Sequence, residues 1–249
     1  MNVIEVHDVA KGFRVPSVRR DTVREHLLGV LNPRTFRRLE VLRSVSFAVR
    51  QGESVAIMGR NGSGKSTLLK VLCGIYVPDR GSVVVQAPMT PVLELGVGWN
   101  PDLDAIDNIV LLGTAMGMSL AEASSAIEEV LAFAELAPFA NLPLRHYSSG
   151  MASRLAYAVA FKAVREVLVL DEVFAVGDAR FKTRCEERYR QLKADGHTVL
   201  LVSHDRMAVS LCDRALLLED GRVAASGTPA DIFAAYLESS TRPAASSEG

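Results

Sequence analysis

The chain has 249 residues, with 28 Lys plus Arg against 29 Asp plus Glu and a formal net charge of −1. At roughly 150 residues per domain this is one large domain or two small ones, and a composition 49% hydrophobic and 23% charged describes a globular chain with a sizeable core. The near-neutral balance argues against bulk nucleic acid as the main partner, and no apolar run approaches the roughly 18 to 20 residues of a membrane-spanning helix.

The opening MNVIEVHDVAKGF has no basic stretch leading into an apolar one, so no secretory signal is read. Val3 to Val9 alternates as a strand, and Val41 to Arg50 does so again before the Gln51-Gly52 turn. Ser54 to Met58 is a short apolar strand, followed by a glycine-rich turn and a helix over Ser66 to Cys73. Gly81 to Gln86 and Pro91 to Leu95 read as further short strands. Ser119 with Glu122 three residues later predicts a capping box, and the apolar stripe Ile127, Val130, Leu131, Ala134 continues that helix. A helix from Gly150 to about Val164 leads into Val167 to Leu170 (VLVL). That run is apolar on every residue, as a parallel strand covered on both faces is. Another helix ends near Gly196, and Thr198 to Val202 is a second buried strand. Arg214 to Leu218 and Val223 to Ala225 read as a hairpin turning at Gly221-Arg222. The Ser/Ala/Pro-rich end from Ser239 reads as a disordered tail. Strands alternating with helices predict an α/β fold with a largely parallel core sheet. Cys73, Cys185 and Cys212 are widely spaced and form no CxxC. They suit buried small hydrophobes in a reducing cytosol.

One segment departs from the charge balance. Residues 14–43 hold eight arginines (14, 19, 20, 24, 34, 37, 38, 43) and three acids (Asp21, Glu25, Glu40), a local charge of +5. Ser17 to Leu31 reads as an amphipathic helix, with Val23, Leu27, Val30 and Leu31 on one face and Asn32-Pro33 ending it. Two readings stand: a solvated surface helix, or a helix facing an anionic membrane surface or membrane partner.

The chemistry concentrates in four places. Gly59-Arg60-Asn61-Gly62-Ser63-Gly64-Lys65-Ser66-Thr67 matches GxxxxGK[ST] between a strand and a helix. Its glycines let consecutive N–H groups turn toward phosphate oxygens, and the following helix adds its dipole. Lys65 supplies a full charge to β- and γ-phosphates, and the Ser66 hydroxyl is offered to Mg²⁺. Asp171 and Glu172 end the VLVL strand at the mouth where open α/β sheets bind ligands. Asp171 is expected to hold Mg²⁺ through water, and Glu172 to polarise an attacking water. His204, after the second buried strand in LLVSHD, is expected near the γ-phosphate. Tyr147-Ser148-Ser149-Gly150-Met151 opens a helix with two hydroxyls and a glycine, a second anion-binding edge. Two such edges are too many for one nucleotide. A head-to-tail dimer resolves this, each ATP lying between one copy's phosphate loop and the other's serine loop.

The ordered set GRNGSGKST, YSSGM, VLVLDE and LVSHD resembles the ATP-binding subunits of ABC transporters over residues 3 to 237. YSSGM in place of LSGGQ, with DEVFAVGD, resembles the subfamily exporting lipid-linked polysaccharides: O antigen, capsule and teichoic acid. The resemblance implies a P-loop NTPase of ABC type covering residues 1–238, with an antiparallel β subdomain and a helical subdomain at about 95–165. It implies that Phe13 stacks on adenine, that Asp178 faces across the dimer, and that Glu94 stands at the loop where many relatives have glutamine. Trp99 and Leu103 beyond it form either a socket for a transmembrane partner or ordinary packing. The implied partners are two copies of a permease subunit, a second copy of this chain, and the membrane surface through the basic insertion. The implied place is the cytoplasmic face of the inner membrane. No nucleic acid and no direct glycan-binding domain are expected. The alternatives are an ATPase of another exporter, of drugs or lipids, and a soluble ABC ATPase acting on ribosomes or DNA. A non-catalytic ATP-gated scaffold sits poorly with intact Lys65, Glu172 and His204.

Overall fold

The computed structural model describes residues 1–16, 36–93, 98–171 and 178–241. The expected amphipathic helix at 17–31, Glu94, Glu172 and the chain beyond 241 lie outside the described residues.

Among the described residues nine strands form two sheets. The larger has the order β5-β6-β7-β3-β8-β9, built from β3 (Ser54–Met58), β5 (Met89–Val92), β6 (Val167–Asp171), β7 (Thr198–Val202), β8 (Arg214–Glu219) and β9 (Arg222–Gly227). All its pairings are parallel except the β8–β9 hairpin. Pro91 sits in β5, at the sheet edge, where one missing N–H breaks no ladder. The smaller sheet has the order β2-β1-β4 and is antiparallel, with β1 (Asn2–Pro16), β2 (Phe36–Arg50) and β4 (Arg80–Val85).

The uniformly apolar runs are central because both faces are covered, and the pleat divides their side chains. Val55, Ile57, Val169 and Leu200 face α1 (Lys65–Leu72) and the smaller sheet through Ile4, Val6 and Val45. Met58, Leu168, Leu170 and Leu201 face the opposite way. They meet Tyr157 and Phe161 of α5 (Ser149–Lys162) and Phe181 and Tyr189 of α6 (Ala179–Ala194).

A third core forms among helices. It holds Ile109 and Leu112 of α2 (Ala105–Ala115), Val130 and Leu131 of α4 (Ile127–Ala134), and Leu155 and Val159 of α5. α5 thus belongs to two cores, one on each side. The predicted capping box is present: Ser119 Oγ accepts the Glu122 N–H at 3.2 Å and Glu122 returns a carboxylate oxygen to the Ser119 N–H at 2.6 Å. It starts α3 (Leu120–Ser125), which ends before Ala126, so the single helix expected there is two.

Among the described residues three α-helices have no counterpart in the sequence reading: α2, α7 (Arg206–Ser210) and α8 (Pro229–Thr241). The expected tail boundary at Ser239 moves, since α8 continues to Thr241. Its start is held by Thr228, whose Oγ1 accepts the Asp231 N–H at 3.3 Å and donates to the Asp231 carboxylate at 2.7 Å. Trp99 packs against the helical core, half-buried, and its indole N–H is buried without an acceptor. Among the described residues no helix is long and apolar enough to cross a membrane.

Candidate nucleotide site

β3 delivers the chain into the phosphate loop, and β6 and β7 deliver Asp171 and His204 beside it, because the three strands are neighbours and parallel. The loop turns where only glycine fits. A Cβ at Gly59 would stand 2.2 Å from the Leu218 carbonyl oxygen and 2.6 Å from Ser63 Oγ. Ser63 donates its N–H to the Arg60 carbonyl oxygen at 3.1 Å, and its buried Oγ has no hydrogen-bond partner.

The loop opens α1 at Gly64 with no side-chain cap and no acid in the first turn. By contrast α2, α3, α5, α6 and α7 each begin on Asp or Ser whose side chain accepts a backbone N–H. The positive end of α1 is therefore left for an anion. Lys65 Nζ lies over the loop, donating to the carbonyl oxygens of Gly59 (2.7 Å) and Arg60 (3.0 Å). Ser66 Oγ lies 3.5 Å from Asp171 Oδ2. A hydroxyl beside a carboxylate is an all-oxygen donor pair of the kind Mg²⁺ takes with its waters. Thr67, half-buried, follows in the first turn of α1.

A cleft of about 350 Å³ opens over this loop, lined by Gly59, Arg60, Asn61, Lys65, His204, Tyr236 and Ser240. It brings His204 to Lys65. Tyr236 and Ser240 come from α8 and had no place in the sequence reading. None of Ser148, Ser149 and Gly150 lines this cleft. They start α5, Ser148 Oγ accepting the Met151 N–H at 3.2 Å and Ser149 standing exposed. Asp178 begins α6, taking the Phe181 N–H at 2.9 Å, with its side chain 64% exposed.

Phe13 belongs to a second cleft of about 380 Å³, with Gly12, Arg14, Arg38, Asp79 and Arg80. Its ring meets Tyr76 edge-on at 5.4 Å, and Lys11 Nζ lies 5.6 Å from its centroid. Asp79 organises this cleft, accepting from the Gly12 N–H (2.9 Å), Lys11 (3.3 Å) and Arg38 (2.6 Å). The Gly12 N–H first, then the Lys11 and Arg38 cations, hold its carboxyl below the usual range.

Gly221, in the β8–β9 turn, is a support that sequence reasoning missed. It donates its N–H to the Ser63 carbonyl oxygen at 3.2 Å and accepts the Arg43 N–H at 2.7 Å, tying the phosphate loop to β2. An Asp-Gly turn was visible at this position, but its partners are 158 and 178 residues earlier in the chain.

A family model described as ABC transporter matches residues 42–175, more than half of the chain. The chain belongs to the ABC transporter family. This cassette is 38% identical over 245 residues to the O-antigen export system ATP-binding protein RfbB of Myxococcus xanthus, covering 96% of this chain and 56% of that protein. It is 35% identical over 198 residues to the teichoic acids export ATP-binding protein TagH of Listeria monocytogenes serotype 4b, covering 79% of this chain and 59% of that one. The cassette thus spans little more than half the length of either relative. A dimeric, post-hydrolysis ATP-binding cassette bound to ADP and Pi has the same fold, with a TM-score of 0.74 at 23% identity, covering 91% of this chain and 98% of that chain. The cassette fold, with a mostly parallel sheet beside an antiparallel one, is the fold the motifs implied.

Proposed function

We propose that this cassette is the ATP-hydrolysing subunit of an exporter that moves a lipid-linked polysaccharide through a separate transmembrane subunit. The observation that carries the nucleotide chemistry is the convergence of Lys65, the Ser66–Asp171 pair and His204 on one uncapped helix terminus. The polysaccharide substrate is supported by likeness to O-antigen and teichoic acid export ATP-binding proteins.

Lys65 exchanges the Gly59 and Arg60 carbonyl oxygens for phosphate oxygens, and the N–H groups of residues 62–66 follow the same anion. Ser66 and Asp171 are the residues that would hold Mg²⁺, which would supply positive charge to the phosphate oxygens. Glu172 orients and deprotonates the attacking water, His204 contacts the γ-phosphate, Glu94 reports on it, and Phe13 receives the base. Ser148, Ser149, Gly150 and Asp178 act across a head-to-tail homodimer on the partner copy's nucleotide. This is supported by their absence from the cleft of their own chain.

Glu172→Gln is expected to keep ATP binding, abolish turnover and give an ATP-dependent dimer by light scattering. Undiminished ATPase in that variant would remove Glu172 as the base. For the substrate, deletion in the native host is expected to leave lipid-linked glycan on the cytoplasmic side. Unaltered surface polysaccharide would overturn that part.

A further inference from the structure

Glu135 follows α4 in the left-handed conformation, φ 59° and ψ 39°. Such a helix C-terminus ordinarily takes glycine, because a Cβ is disfavoured there. A glutamate held in that conformation needs a compensating contact, and the structure supplies three. Its Oε1 meets Arg180 Nε at 3.3 Å and Arg184 Nη2 at 3.1 Å, and its Oε2 meets Arg154 Nη1 at 3.7 Å. Arg184 also donates to the Phe133 (3.0 Å) and Ala132 (3.2 Å) carbonyl oxygens, satisfying the open end of α4.

The same Arg154 guanidinium lies 4.0 Å from Asp178 Oδ2. Arg154 stands on α5, one turn beyond Ser149 and Gly150, and Asp178 begins α6. One carboxylate therefore joins the helix carrying the serine loop to the helix that Asp178 starts. Arg154, 21% exposed at its side chain, is the bridge between two acids.

We infer that Glu135 is a positioning residue: through Arg154, Arg180 and Arg184 it sets the serine loop and Asp178 as one unit that engages the nucleotide of a second copy. This rests on the head-to-tail dimer proposed above. Isolated surface ion pairs contribute little, but a carboxylate shared by three guanidiniums fixes relative geometry. Breaking it should affect association of the two copies while leaving each copy's own nucleotide cleft unchanged.

The test uses the full chain carrying Glu172→Gln as parent, with Glu135→Gly and Glu135→Gln added singly. Glu135→Gly relieves the left-handed backbone, so its melting temperature should not fall below the parent's, and monomer ATP affinity should stay the same. ATP-driven dimerisation should weaken at least about fivefold in both variants, the size of a modest coupling between sites. Amide exchange in the free monomer should quicken together at residues 149–152 and 178–182. Dimerisation within twofold of the parent overturns the inference. If the parent itself fails to dimerise with ATP, the dimer reading falls, and exchange alone decides the cluster: unchanged protection at both segments overturns it.

Discussion

Gly221→Ala is the most informative perturbation of the phosphate loop from outside it. Gly221 has φ 75°, so any Cβ meets the left-handed penalty of about 1–2 kcal/mol. That Cβ would also stand 2.2 Å from the Val41 carbonyl oxygen and 3.1 Å from Leu42 Cα, both backbone. Neither can turn aside as a side chain would, so the turn must move. Moving it by about 1 Å strains the bonds to Ser63 O and from Arg43 N, each worth about 0.5–1.5 kcal/mol net. The total is about 2–5 kcal/mol. Gly196→Ala is the control: φ is 85°, but a Cβ there meets nothing within 4 Å, leaving only the backbone penalty. At about 2–4 °C per kcal/mol for a chain of this size, Gly196→Ala should melt about 2–8 °C lower. Gly221→Ala should melt about 4–20 °C lower and, measured side by side, clearly below the control. Calorimetric titration with ATP should show weakened binding for Gly221→Ala and none of that loss for Gly196→Ala. Equal melting shifts and equal ATP affinity in the two variants would refute the claim that the β8–β9 turn buttresses the loop.

Three further outcomes follow from the structure. Asn108, 1% exposed, accepts the Asn100 N–H at 2.9 Å and donates to the carbonyl oxygens of Asn100, Leu103 and Asp104, so it folds the loop before α2. Asn108→Leu should cost about 2–4 kcal/mol in urea denaturation, and a loss under 1 kcal/mol would show that loop to be held otherwise. Asp79 has a folded-state pKa below its unfolded value, so its contribution is present at neutral pH and is lost as pH falls through the folded pKa, below about 4. The stability gap between wild type and Asp79→Asn should therefore close in acid, and a gap constant from pH 7 to pH 2.5 would contradict the ion cluster. Burial raises Cys73 and Cys212 to about 11 and Cys185 to about 12, so native thiols should react slowly with a disulfide reagent at pH 8. Rapid labelling of all three without denaturant would argue against that burial.

The parts that could be read in the sequence are those whose cause is local. Five consecutive buried residues in Ser54–Met58 and in Thr198–Val202 leave no solvent face, so the runs themselves announce a covered parallel strand. The phosphate loop and capping box are likewise set by neighbours a few residues apart. α2 escaped because Asp104 caps it from within a stretch rich in Gly, Pro, Asn and Asp, which reads as loop. α8 carries a local signal, Thr228-Pro229 with Asp231, but its value depends on packing against β8 and α7, which spacing does not express. The sequence also supplied Phe13 without Asp79, and YSSGM without Glu135. Asp79 lies 66 residues from Phe13, and Glu135, though 12 residues before Tyr147, is tied in through arginines of two later helices, so only the fold brings each to its place.

The chain contains one tryptophan, and it is Trp99. Its indole N–H, buried without an acceptor against the helical core, gives an emission that should lie to the blue of a solvated indole. Excited at the red edge of its absorption, it is observed without the tyrosines, so unmodified protein carries an optical probe on the helical core alone. Rearrangement of the helices during a catalytic cycle can then be timed in a stopped-flow instrument without labels, on the cassette as it is.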